Sequence, residues 1–178
     1  MKYFTALILF VLALNTTVLF DFNESADISR WQVVDDVVMG GQSSGNFELS
    51  PEGHALFYGE VSLENGGGFS SVRYRFDGMS VTPDTKVHIR LKGDGKPYQF
   101  LVKHDVRSYY SYRAEFQTTG EWQDVEIPLY EMEPEFRGNL LNQSSFEHNQ
   151  IQEVHIQIAN GQPETFQLII DDITLQTE

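Results

Sequence analysis

Beyond Phe20 the apolar residues recur with period two, in short runs bounded by Gly, Asn, Asp or Pro. A strand turns successive side chains to opposite faces, so this pattern is the one half-buried strands require. "HALFYGEVSLE" sets Ala55, Phe57, Gly59, Val61 and Leu63 on one face, and "SVRYRF" sets Val72, Tyr74 and Phe76 against Ser71, Arg73 and Arg75. The alternation continues in "KVHIRLK", "YQFLVK", "YSYRAEF" and "EVHIQIA", while helical spacing is hard to find. About eight or more strands of this kind in one chain predict an all-β, antiparallel two-sheet jelly-roll sandwich.

Irregularities sharpen that reading. In "TFQLIIDDITL", Phe166, Leu168 and Ile170 share one parity while Ile173 and Leu175 take the other, which requires a β-bulge near Asp171 and Asp172. "KGDGKPY" lies between two alternating runs, where Asp-Gly signals a hairpin turn. Residues 129–150 lack alternation and predict a long connection with one helical turn. A chain of 178 residues suits one domain, over residues 18–178. Residues 1–14 form an apolar leader that reads as the core of a secretory signal, with small residues at cleavage spacing; the same run also suits an N-terminal strand. A working leader implies an extracytoplasmic, bacterial protein with no membrane span after its removal, since the run is shorter than the ~20 residues a span needs.

Charge and composition exclude several chemistries. With 26 acids against 12 bases the net charge is -14, so nucleic acid would be repelled. Cys is absent, which removes thiolate nucleophiles and cysteine-bound zinc. The glycines at 66–68 and 93–95 match no phosphate-binding fingerprint, and no G-x-S-x-G elbow occurs. The five histidines show no metal spacing, and His88 and His155 fall on the polar parity of strands, where solvent exposure is expected. Asp35 and Asp36 are adjacent and so face opposite sides. No catalytic set emerges, and the chain reads as a non-enzyme. Tyr98, Tyr109 and Tyr112 are candidate binding aromatics, because ring faces stack on sugars and side chains, but Tyr110, Tyr112 and Phe116 share a parity that suits the core, which leaves Tyr109 and one end of Tyr98 or Tyr112 free to bind. Arg73, Arg75 and Arg113 serve either as ion-pair partners within the fold, the use expected, or as anchors for an anionic group.

Several stretches together carry a resemblance: "WQVVDDVVMGGQSSG", "FYGEVSLENGGGFSSVRYRF", "LKGDGKPYQF", "YYSYRAEFQTTGEWQDVEIPL" and "FRGNLL". In order and with few gaps, from about Phe20 to Thr174, the chain resembles the complex I intermediate-associated protein 30 family. That resemblance implies a galactose-binding-domain-like jelly roll, an architecture shared with several carbohydrate-binding modules. It also implies a non-enzymatic role, which in the mitochondrial member is that of a chaperone for assembly intermediates of the respiratory NADH:ubiquinone oxidoreductase. This chain has no Arg-rich import sequence, its first Arg being Arg30. The function expected is a non-catalytic binding protein, a protein-interaction or assembly module; the alternative is a stand-alone carbohydrate-binding module. Its partner is then a protein or a glycan.

Two site expectations follow. "DDVVMGGQSSG" and "ENGGGFSSVR" are Gly-rich segments beside strands, and in a jelly roll they can meet at one rim. Asp36, Met39, Gly40, Gly41, Ser43, Asn65, Gly67, Phe69, Ser71 and Arg73 would then form either a binding surface or a hydrogen-bonded corner. Sandwiches of the resembled type often carry a structural calcium between the first and last strands. Asp21, Glu24, Asp171 and Asp172 are the candidate ligands here, and no other cofactor is expected.

Overall fold

The computed structural model describes residues 15–177, so the expected leader lies outside the described residues. The strands are β1 (Asn15–Asp21), β2 (Trp31–Asp35), β3 (Ser44–Leu49), β4 (Ala55–Val61), β5 (Ser70–Ser80), β6 (Lys86–Lys92) and β7 (Pro97–Lys103). They continue with β8 (Ser111–Gln117), β9 (Trp122–Pro128), β10 (Glu133–Phe136), β11 (Asn139–Leu140), β12 (Gln150–Ile158) and β13 (Glu164–Thr177). One sheet runs β3-β4-β13-β6-β9 with β1 also on β13, and the other runs β11-β10-β8-β7-β12-β5-β2. All pairings are antiparallel, and the two sheets make the jelly-roll sandwich.

The alternating residues supply the core. Phe57, Ile89, Leu91, Phe100, Ile156 and Leu168 are fully buried between the sheets. The predicted bulge is present, since the register of β13 against β6 shifts between Ile170 and Asp172. It lets β13 change its inward parity without leaving the sheet. Because β6 occupies one edge of β13 over residues 169–176, β4 at 164–170 and β1 at 172–177 share the other edge end to end. Among the described residues, pairing of β1 already includes Asn15, three residues ahead of the expected domain start.

Two expectations are corrected. The Asp-Gly link is no hairpin, because β6 and β7 belong to different sheets and the link is a crossover at the sandwich edge. Asp94 fixes it by accepting from Lys96 Nζ at 2.6 Å, Tyr98 OH at 3.2 Å and the Gln167 amide at 3.1 Å. A turn signal reports a chain reversal; which sheet receives the next strand is decided by tertiary packing. The 129–150 connection forms its predicted turn at Leu129–Glu131, but also adds β10 and β11 to the second sheet. "EPEF" is too short to show alternation.

At Gly59 the chain comes close to β3: an added Cβ would lie 2.0 Å from the Ser44 carbonyl oxygen and 2.9 Å from the Gly45 Cα. Backbone cannot give way as a side chain can. Gly59→Ala is expected to destabilise by about 1–3 kcal/mol, whereas Gly120→Ala, with nothing within 4 Å, leaves the thermal midpoint close to wild type.

Candidate functional site

The two Gly-rich segments meet, and a buried carboxylate joins them. Asp35 ends β2 with an extended backbone and Asp36 starts a short 3-10 turn, Asp36–Met39, which sends the neighbouring carboxylates to different partners. Asp35 accepts from the Gly45 amide at 3.0 Å and from Ser70 Oγ at 2.6 Å, tying β2 to β3 and β5. Asp36 is fully buried. Its Oδ1 accepts from the Ser43 amide at 3.0 Å, and its Oδ2 accepts from Ser43 Oγ, from the Gly68 amide at 2.6 Å and from the Phe69 amide at 3.2 Å. Gly41 and Gly67 make room for it, because a Cβ there would fall 2.2 Å and 2.6 Å from its carboxylate oxygens. Burial pushes the Asp36 carboxyl up, but the hydrogen bonds from Ser43, Gly68 and Phe69 outweigh burial and hold it below its ordinary value.

What the lock presents is apolar. Val37, Val38 and Met39 are 60%, 74% and 52% exposed on the turn that Asp36 fixes. Of the residues expected at this corner, Asp36, Gly41 and Ser43 are interior, Gly67 and Phe69 are half-buried, and Met39, Gly40 and Asn65 are exposed. The corner is therefore hydrogen-bonded inside and apolar outside. Ser71 and Arg73 lie elsewhere, on the free face of the seven-stranded sheet, where Ser71 Oγ donates to the Val34 carbonyl at 2.8 Å and Arg73 Nε donates to Ser71 Oγ at 3.3 Å.

That free face is a second polar array, which the sequence reading did not assemble. The register sets Gln32, Arg73, His155, Leu101, Arg113 and Glu133 in one row across six strands. Beside it run Arg75, Glu153 and Lys103. Glu153 and His155 are buried rather than exposed, correcting the expectation for His155. Parity tells which side of a sheet a residue faces, and long neighbours on that side can cover it. Glu153 is hydrogen-bonded to both Arg75 and His155. Burial pushes the Glu153 carboxyl up, but its bonds to His155 and Arg75 outweigh this and hold it low. Burial also drives the His155 imidazole below its ordinary value; Glu153 opposes this, while Arg73 and Lys103 add to it, so the ring is neutral at pH 7. Among the expected fold-internal ion pairs only that of Arg75 forms as a contact among the described residues; Arg73 feels Glu153 and Glu135 at longer range, and Arg113 stands opposite Glu133 in the register. The available signal was consecutive strands each carrying a cation on the polar parity.

The tyrosines divide. Tyr98 and Tyr112 are core residues, at 0% and 4% exposure, so their faces are not open to a ligand. Tyr109 is 60% exposed, packs edge-on to Phe136 at 5.4 Å, and its hydroxyl accepts from Gln143 Nε2 at 3.1 Å. It stands at the rim of the free face, in the β7–β8 loop. On the outer face of the other sheet, a shallow depression of about 490 Å³ is lined by His54, Leu56, Trp122 and Ile169 among others. Trp122 is met there by the His54 ring at 4.9 Å and the Arg90 guanidinium at 5.6 Å.

Three of the four candidate calcium ligands gather, since burial and then the neighbouring Asp171 and Asp21 push the Asp172 carboxyl above its ordinary value. Asp21 sits opposite Asp172 across β1 and β13, Asp171 pairs with His54 at 3.0 Å, and Glu24 is exposed in the following loop. Among the described residues no three His, Asp or Glu side chains are placed to hold a metal ion, whereas calcium takes six to eight oxygens. Among the described residues, too, no helix is long and apolar enough to cross a membrane.

Comparison with known proteins adds a family and a fold. The family model for Complex I intermediate-associated protein 30 matches residues 20–170. The mouse mitochondrial Complex I intermediate-associated protein 30 is 25% identical over 134 residues, which cover 63% of this chain and 41% of the mouse protein. The match thus spans about two fifths of that relative's length. Among solved structures, a family 11 carbohydrate-binding module from Clostridium thermocellum, in complex with a β-1,3-1,4-mixed-linked tetrasaccharide, aligns with a TM-score of 0.67 at 16% identity, covering 92% of this chain and 96% of the module. An agarase aligns with a TM-score of 0.60 at 13% identity, over 92% of this chain and 24% of the enzyme. At such identities the likeness is one of fold.

Proposed function

Since the chain belongs to the Complex I intermediate-associated protein 30 family, we propose that it works as a non-catalytic, protein-binding module of the assembly-factor type. The observation that carries this reading is the exposed Val37–Val38–Met39 turn, held from inside by Asp36. An apolar side chain buried on binding contributes roughly 1.5–3 kcal/mol. A turn already fixed in shape loses little conformational freedom when a partner closes over it. With a functional leader, the module meets that partner outside the cytoplasm.

A photo-crosslinking residue at Val38, introduced in the native host, tests this. The expected result is a discrete adduct with one protein, absent when the same residue is placed at the exposed Thr119 and lost when Met39 is also changed to Asp. Equal labelling from both positions contradicts a docking role for the turn.

A second reading, as a carbohydrate-binding module, is favoured by the free face of the seven-stranded sheet. Its bases, acids and the Gln157–Gln99 amide pair, bonded at 3.0 Å, suit hydroxyl groups that both donate and accept.

A further inference from the structure

Resting on that carbohydrate reading, we infer that the free face of the seven-stranded sheet selects a sugar bearing a carboxylate, a uronic acid residue within an oligosaccharide. Two independent features point to it. The first is a pair of guanidinium groups with no carboxylate in direct contact, although Glu153 and Glu135 lie near enough to act on Arg73. Arg73 on β5 and Arg113 on β8 flank Leu101 and the neutral His155 in the row described above. The Arg113 side chain makes no hydrogen bond or ion pair among the described residues, and the Arg73 side chain makes only its Nε bond to Ser71, which leaves its terminal nitrogens open. Lys103 beside them donates to the Ser108 carbonyl at 2.7 Å and makes no ion-pair contact among the described residues, with Glu153 opposite it on β12. Half-buried guanidinium groups with no carboxylate in contact keep donors for an anion, and their planar fork matches a carboxylate in two places.

The second feature asks for a donor. Glu135 on β10 is 6% exposed; its Oε1 accepts from the Gly138 amide at 2.6 Å, while its buried Oε2 has no partner among the described residues. A buried, unpaired carboxylate oxygen is costly and is satisfied by a hydroxyl hydrogen. One ligand that gives a carboxylate to Arg73 and Arg113 and a hydroxyl to Glu135 is a hydroxylated acid. Acidic peptides fit less well, because a second carboxylate along the peptide would meet Glu133 or Glu135. Sugars carry hydroxyls at those positions instead. Attraction at the face works against the net charge of -14, so it acts at short range and weakens as salt screens it.

Calorimetric titration of the full chain at low salt decides the matter, using trigalacturonate, a glucuronate-containing hyaluronan tetrasaccharide and an alginate trimer as probes, with cellotetraose and triglutamate beside them. At least one uronate oligomer is expected to bind about tenfold or more tightly than cellotetraose and triglutamate. Arg113→Gln, which breaks no bond within the fold and whose melting is checked first, should weaken that binding about tenfold, and Trp122→Ala on the opposite sheet should leave it unchanged. Equal binding of cellotetraose, or indifference to Arg113→Gln, overturns selection by charge while the carbohydrate reading survives. Failure of every oligosaccharide overturns both. Triglutamate binding as tightly as the uronates replaces the sugar with an acidic peptide.

Discussion

Asp36→Ala is expected to lower the stability of this protein by about 3–5 kcal/mol, a large share of what a single domain possesses. The carboxylate is fully buried and is the acceptor for three backbone amides and one hydroxyl drawn from two segments about thirty residues apart. Removing it leaves the Ser43, Gly68 and Phe69 amides without their partner, and each buried donor so abandoned costs on the order of 1–3 kcal/mol unless water reaches it. Gly68 and Phe69 are half-buried, so water recovers part of the loss there and little at Ser43. Asp36→Asn should fall between, since one amide oxygen remains but its NH₂ is aimed at donors. Urea unfolding checks the order, with Val38→Ala, on the exposed side of the same turn, expected within about 0.5 kcal/mol of wild type. Because hydrogen bonding holds the folded Asp36 carboxyl below its unfolded value near 3.9, its contribution is complete above that pH and is lost as the pH falls through the folded value.

Acidification should weaken the fold well before the carboxylates titrate, through His155. Folded His155 remains neutral in the range where the unfolded imidazole, with a value of about 6.5, has already taken up a proton. The unfolded state then binds more protons, so stability declines as the pH drops from about 6.5 towards the folded value, with a slope approaching 1.4 kcal/mol per pH unit. The groups around the ring are Glu153 on its own strand, Arg73 on β5 and Lys103 on β7; burial dominates, and the two cations outweigh none of it but add to it. His104 and His148, stacked at 3.6 Å, are also lowered by burial and act with the same sign. Glu153 behaves as Asp36 does, its contribution disappearing only below the ordinary glutamate range. Thermal melting from pH 7 to 5 should therefore show a falling midpoint in wild type and a shallower fall in His155→Gln. Parallel curves would mean that the imidazole is already solvated.

How much of this was legible in the sequence depends on the range of the interaction concerned. The strands were visible because a half-buried pleat imposes alternation locally, and the bulge at Asp171–Asp172 because β13 is long enough to show both parities. The crossover at Asp94 was misread because local turn chemistry is the same whether the chain reverses within a sheet or between sheets. β10 was missed because four residues with Pro134 among them carry no period. Meeting of the Gly-rich segments was anticipated, but the reason for their glycines was not: Gly41 and Gly67 are small because Asp36 occupies the space their Cβ atoms would take, which is a tertiary fact. Tyr98 and Tyr112 stood between core and binding because an aromatic on a strand reads alike whether its face is packed or open; both are core. His155 was assigned to solvent for the matching reason on the polar side.

The proposed docking surface depends on the corner being one rigid unit built around a charged Asp36. Amide hydrogen exchange at Gly68, followed by NMR at neutral pH, tests that most directly. Strong protection is predicted, abolished in Asp36→Ala while the amides of β12 stay protected. A Gly68 amide that exchanges in the wild-type protein as fast as an open loop would show that the carboxylate does not hold the turn, and the preformed docking surface would have to be given up.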